Sequence, residues 1–135
     1  MLKNKAFFIL SVAGYFFSLS VFAQGNCSLV KSASPTQAKS YIQCLDSDIN
    51  TAKRIRSTWI EKRTYELTEN QQTTGNTQIL PLFKKSLLSY DKFIEQSCQW
   101  RYILKMPNAT KAAITYKHCE IALINAQIEQ LKLAL

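Results

Sequence analysis

The segment CQWRYILKMPNATKAAITYKHC, residues Cys98–Cys119, decides how the second half of this chain folds. Pro107 and Asn108 separate two runs of apolar residues at helical spacing, and asparagine is a favoured N-cap residue. The two cysteines lie almost symmetrically about the Asn108–Ala109 turn. In a helical hairpin they therefore reach the same height on facing helices, which predicts a Cys98–Cys119 disulfide.

The chain has four cysteines, and the other two are Cys27 and Cys44. An even number in a small exported domain indicates disulfides, although four cysteines allow three pairings. Once Cys98 is assigned to Cys119, the second bridge ties the N-terminal arm to the end of a short helix. Each bridge closes a loop of roughly 17 to 22 residues, worth about 3 kcal/mol in the chain-entropy model. The spacing lacks a C-x-x-C motif and predicts no metal site.

The N-terminus has the pattern of a secretory signal peptide. Two lysines precede an uncharged apolar run at residues 6–21, and Val21 and Ala23 supply small residues at the −3 and −1 positions. We therefore predict a signal peptide at residues 1–23 and one mature domain at residues 24–135, located in the periplasm or secreted. The alternative is an uncleaved anchor, but the run is shorter than the roughly 20 residues of a spanning helix.

The predicted mature chain is basic. Without the two lysines of the signal it has 15 basic and 9 acidic side chains, a net charge of +6. In an exported protein this charge favours an anionic envelope surface or an acidic protein over nucleic acid as a partner. Simple solubility explains the charge equally well. Only Gly25 and Gly75 remain as glycines, so the sequence has no phosphate-binding loop and predicts no cofactor.

The first half of the domain has helix signals at both ends. Ser34, Pro35 and Gln37 form a capping box with proline at the first helical position. The polar run at residues 45–48 competes for backbone hydrogen bonds and predicts a break after a short first helix. A second helix is then expected to extend to about Asn70, where a flexible loop around Gly75 begins.

Two more helices complete the expected architecture, at about residues 81–106 and 110–133. Strand signals are absent from the sequence. We expect an all-α, antiparallel bundle of one short and three long helices, stapled by two disulfides. The second helix has the apolar stripe Ile49, Ala52, Ile55, Trp59, Ile60 and Leu67.

The sequence offers few groups for catalysis. His118 is the one histidine, and it precedes a cysteine that the bridge already uses. Asp91 and Glu95 are one helical turn apart, but two acids beside Lys92 are typical of a solvated helix face. We therefore predict a protein that is not an enzyme and has no catalytic or metal-binding residues.

Two features are candidates for contacting a partner. The second helix has a basic cluster that either docks on an acidic partner or on anionic lipid, or is the polar side of an amphipathic helix. Its residues are Lys53, Arg54, Arg56, Lys62 and Arg63. Trp100 and Tyr65 lie off the apolar stripes, and exposed aromatic side chains often anchor interfaces. The candidate contact residues are Trp100, Tyr65, Arg54 and Arg56.

The cysteine frame resembles that of the LprI-like family of bacterial envelope lysozyme inhibitors. The resemblance lies in Cys27, the short helix that ends at Cys44, and Tyr90 followed by Cys98 and a turn. It continues in the pattern Cys119, Leu123 and Leu131 of the last helix. It implies a protein that blocks a lysozyme or another cell-wall-degrading hydrolase by shape and hydrogen bonds. The alternative is a periplasmic immunity or chaperone-like protein that binds an acidic partner.

Overall fold

A computed structural model describes residues 27–29 and 33–133 of the chain. Within these residues the chain forms three α-helices: α1 (Pro35–Thr74), α2 (Ile79–Leu104) and α3 (Ala109–Lys132). The predicted all-α bundle with two disulfides is confirmed. The predicted signal peptide lies outside the described residues.

The helix ends follow the predicted capping rules. The hydroxyl of Ser34 accepts a hydrogen bond from the backbone N–H of Gln37, whose side chain accepts one from the N–H of Ser34. At the other end of α1, Gly75 adopts the left-handed conformation with φ 74°. Its N–H donates to the carbonyl of Gln71 at 2.9 Å. Glycine adopts this conformation without a steric penalty, so it ends the helix cleanly.

The predicted break at residues 45–48 is wrong, because α1 continues through this segment as one helix of 40 residues. Leu45 and Ile49 are four residues apart and both buried, so tertiary packing holds the helix despite the polar residues between them. Asp46 forms an ion pair with Lys117 on α3. The bundle therefore has three helices, and α1 also continues beyond Asn70 into the predicted loop.

Both predicted disulfides are present. Cys98 and Cys119 join α2 to α3 with a Cα–Cα distance of 5.5 Å. In the turn between them, the side chain of Asn108 accepts a hydrogen bond from the N–H of Lys111 and caps α3. Cys27 and Cys44 are bonded with a Cα–Cα distance of 5.8 Å. The hairpin and its cap are therefore confirmed.

Helix α3 is the central element of the bundle, since α1 and α2 each pack along it but approach one another much less. Contacts along α3 set the directions of its neighbours. Tyr90 and Cys98 of α2 meet Leu123 and Cys119, respectively, so α2 is antiparallel to α3. The ion pairs Asp46–Lys117 and Lys53–Glu120 join α1 to α3, and the residue numbers rise together along the two helices. Helices α1 and α3 are therefore parallel.

The core lies where all three helices meet along α3. Cys98 is fully buried there, so one disulfide is part of the packed interior. The predicted stripe of α1 is correct except for Ile55, which is 45% exposed because it lies to one side of the line that contacts α3. The buried cluster contains Ile49, Ala52, Ile94, Cys98, Ile124 and Ile128.

Arg63 is the charged residue of this interior and is only 7% exposed. Its Nε donates to the carbonyl of Leu131 at 2.6 Å, and its terminal nitrogens donate to the carbonyl of Leu133 and the carboxylate of Glu66. Carbonyls in the last turn of a helix have no partner within that helix. Arg63 of α1 therefore supplies hydrogen-bond donors to the carbonyls at the end of α3.

Candidate functional site

The basic cluster of α1 is mostly used inside the fold. Lys53 pairs with Glu120 at 2.7 Å, Arg56 pairs with Asp91 of α2, and Arg63 is buried at the end of α3. These contacts link α1 to both other helices. They favour the interpretation of this cluster as a structural helix face over its interpretation as a docking patch.

The exposed members of the cluster differ in their partners. Lys53 and Lys62 each lie within ion-pair distance of a glutamate, whereas the guanidinium of Arg54 donates to the hydroxyl of Thr51 at 3.2 Å. Arg56 has a half-buried side chain that bridges α1 to Asp91. Of the two arginines predicted as contact residues, only Arg54 therefore presents its charge to solvent.

The predicted exposure of both aromatic candidates is confirmed, with Trp100 53% and Tyr65 70% exposed. The structure does not bring them together. Trp100 follows Cys98, which is bonded to the first half of α3, whereas Tyr65 follows Arg63, which contacts the end of α3. They lie toward opposite ends of the bundle, so a single small interface would use one of them.

Trp100 belongs to a wider apolar surface on α2. Leu82, Phe93, Trp100 and Leu104 are all exposed, and their spacings of 11, 7 and 4 residues correspond to nearly whole helical turns. We call these four residues the α2 apolar stripe. The solvent-facing side of a surface helix is usually polar, so four large apolar side chains along one exposed line indicate a candidate interaction site.

The α2 apolar stripe contains a depression between Leu82 and Phe93. Ser86 and Ser89 are small and lie between Leu82 and Phe93, which leaves a depression of about 460 Å³. At its other end, the guanidinium of Arg101 lies 4.2 Å from the ring centroid of Trp100. This cation–π contact covers one face of the indole, while 53% of Trp100 stays exposed.

A second concave surface lies between α2 and α3, with a volume of about 390 Å³. Helical spacing places it on the opposite flank of α2 from the apolar stripe. Tyr102 and Tyr116 meet there edge to face, with ring centroids 6.5 Å apart. Its lining residues are Glu95, Gln99, Tyr102, Ala113, Tyr116 and Lys117.

Burial raises the pKa of Tyr116 above its usual value of 10.0, and the carboxylates of Glu120 and Glu95 raise it further. A negative potential disfavours the ionised phenolate, so both causes act in the same direction. The hydroxyl of Tyr116 is therefore neutral at physiological pH. We call this groove, with its six lining residues, the tyrosine groove.

The residues considered for catalysis are spread over different surroundings. His118 is exposed, and its Nε2 lies 2.8 Å from Oη of Tyr41. Asp91 is paired with Arg56, whereas Glu95 lines the tyrosine groove. Among the described residues, no hydrogen bond or ion pair joins His118 to either carboxylate.

One group of potential metal ligands lies near the start of α1. The side chains of Cys27, Cys44 and Asp48 come within 4.8 Å of one another. Both sulfurs belong to the same disulfide, so neither is a thiolate, the form of cysteine that binds metal. This group is therefore explained by the covalent bridge.

Neither the family models nor the curated proteins and solved structures compared with this chain include a match. None of the described helices is long and apolar enough to cross a membrane. The two disulfides are typical of a protein that folds in an oxidising compartment.

Proposed function

We propose that this is an exported binding protein that docks on a cell-wall-degrading hydrolase, such as a lysozyme, and blocks it. Export is supported by the signal-peptide pattern of residues 1–23 together with the two disulfides. The class of partner comes from the resemblance to the LprI-like inhibitors. The observation that carries a binding role is the α2 apolar stripe, with a half-exposed tryptophan on a disulfide-bonded helix.

The stripe suits recognition because its scaffold is already ordered. The Cys98–Cys119 bridge lies two residues before Trp100 and anchors this turn of α2 to α3. An anchored side chain loses less conformational entropy on binding than one on a loop. Tryptophan is also among the residues that most often dominate binding energy in interfaces. The partner's cleft would thus be blocked by a preformed apolar surface.

The alternative, a periplasmic immunity or chaperone-like protein for an acidic partner, has less support. It needs the basic side of α1 to be available, whereas Lys53, Arg56 and Arg63 are already engaged with other groups of this chain. Lys53 and Lys62 are exposed as well as Arg54, but they are paired with Glu120 and Glu66, so little uncompensated positive charge remains on this side of α1. Strong salt dependence of partner capture from an envelope extract would favour this alternative.

The proposal is tested by adding the purified, oxidised protein to lysozymes of several types acting on a cell-wall substrate. We expect inhibition of at least one, with Trp100→Ala raising the inhibition constant about 30-fold, as for an interface hot spot of about 2 kcal/mol. Tyr65→Ala is the matched control, because it removes an exposed aromatic residue at the other end of the bundle. Absence of inhibition by micromolar protein against every lysozyme type would refute the proposal.

A further inference from the structure

The tyrosine groove has an imbalance of charge. Its lysine, Lys117, forms an ion pair with Asp46, and the neighbouring Lys53 pairs with Glu120. Glu95 is exposed at the groove and forms no ion pair with any described residue. The groove thus presents one uncompensated carboxylate, although the protein as a whole is basic.

The aromatic walls of the groove restrict what this carboxylate can bind. Tyr102 and Tyr116 are inclined at 81° to each other and form a corner beside Glu95. The π-face of a tyrosine attracts cations. A guanidinium is planar and weakly hydrated, stacks on aromatic rings and donates two parallel hydrogen bonds to a carboxylate. The side-chain amide of Gln99 adds a further hydrogen-bonding group.

We propose that the tyrosine groove binds an arginine side chain of the partner protein. Glu95 accepts hydrogen bonds from the guanidinium, whose plane stacks on the ring of Tyr102 or Tyr116 while the other ring stands perpendicular to it. The identity of the ligand as part of a protein rests on the proposed function, whereas the preference for a guanidinium rests on the groove itself. Such a contact gives this basic protein a local electrostatic attraction to a positively charged group of the partner.

The groove is tested directly by NMR titration of the oxidised protein with N-acetyl-arginine amide. We expect saturable shifts at the groove, with a dissociation constant on the order of millimolar. N-acetyl-citrulline amide, which is similar in shape and uncharged, should cause no saturable shift. Glu95→Gln should weaken binding of the arginine compound at least about tenfold, as expected for loss of a charge-assisted pair. Glu61→Gln is the matched control, because Glu61 is exposed on α1 and bonded to Ser57.

Three results would overturn the assignment: equal shifts with the citrulline compound, equal binding by Glu95→Gln, or equal binding of N-acetyl-lysine amide. Loss of the folded spectrum is not expected for Glu95→Gln, since the side chain is exposed and keeps its size. In the lysozyme assay, Trp100→Ala could raise the inhibition constant strongly while Glu95→Gln leaves it unchanged. That result would overturn the assignment of the groove to a partner's arginine and would leave the proposed function standing. If the protein inhibited no lysozyme, the proposed function would be overturned. The NMR titration would still show whether the groove binds a guanidinium.

Discussion

Arg63 allows a sharp test of how the end of α3 is held. We consider Arg63→Met, which keeps most of the aliphatic stem but removes the guanidinium. The hydrogen bond to the Leu131 carbonyl is buried, so its loss leaves a carbonyl oxygen with neither a donor nor access to water. This should lower the free energy of unfolding by about 2–3 kcal/mol. The bonds to Leu133 and Glu66 lie nearer to solvent and should add up to about 1 kcal/mol.

The expected loss in the free energy of unfolding is therefore about 3 kcal/mol, a large share of the roughly 5–15 kcal/mol of a typical domain. With an m-value of about 2 kcal/mol/M, the urea midpoint should fall by about 1.5 M. The midpoint is measured by circular dichroism, and hydrogen exchange should show lost protection in the last turn of α3. Arg54→Met is the control, because Arg54 is exposed and its guanidinium hydrogen-bonds, among the described residues, to Thr51 of the same helix.

The control should change the free energy of unfolding by no more than about 0.5 kcal/mol. The reasoning is refuted if Arg63→Met and Arg54→Met have the same small effect. It is also refuted if Arg63→Met destabilises the protein while exchange in α3 stays unchanged, since the loss would then arise elsewhere.

Two further predictions concern the α2–α3 pair. Replacing both Cys98 and Cys119 by alanine should lower the free energy of unfolding by about 3 kcal/mol, the chain-entropy value for a loop of 21 residues; guanidinium denaturation measures this, and a loss below about 1 kcal/mol would contradict it. The raised pKa of Tyr116, caused by burial and then by Glu120 and Glu95, means that the folded state holds the phenol proton more tightly. Its contribution to stability is complete below pH 10 and is lost as the pH rises beyond that, so Tyr116→Phe should show a smaller decline from about pH 10 to pH 12 than the parent protein. If the free energy of unfolding fell equally with pH in both proteins, the pKa of Tyr116 would not be raised by folding.

The parts of the fold that follow from local chemistry could be predicted. Asn108 caps α3 through its own side chain, and Ser34 caps α1 through a reciprocal pair with Gln37. Because Cys98 and Cys119 flank one turn, hairpin geometry alone selected their pairing. Each of these predictions needed only residues that are close in sequence or symmetric about a turn.

The errors arose where distant packing outweighs local preference. The polar residues 46–48 disfavour an isolated helix, but Leu45 and Ile49 on either side of them are anchored in the core. Arg63 has the sequence surroundings of a solvated basic residue, whereas its partner Leu131 is 68 residues away. Nothing near Arg63 in the sequence signals this contact.

The functional surfaces were only partly predictable for the same reason. Trp100 could be predicted because it lies outside the helical spacing of the core-facing residues of α2. Leu82, Phe93 and Leu104 were not predicted as contact residues. A signal existed, since α2 has large apolar residues around much of its circumference, a pattern typical of a helix that needs partners on more than one side. The tyrosine groove combines α2 and α3, so its composition required the packed hairpin.

Both surfaces have one architectural origin. Because α3 occupies the centre and contacts both neighbours, α1 and α2 cover its two sides and leave much of α2 without a helical neighbour among the described residues. One flank of α2 presents the apolar stripe, and the other forms the tyrosine groove with α3. A fourth helix packed on α2 would convert Trp100 and its neighbours into core. In the three-helix arrangement of the described residues these side chains stay at the surface, which is why we propose that a partner protein buries them.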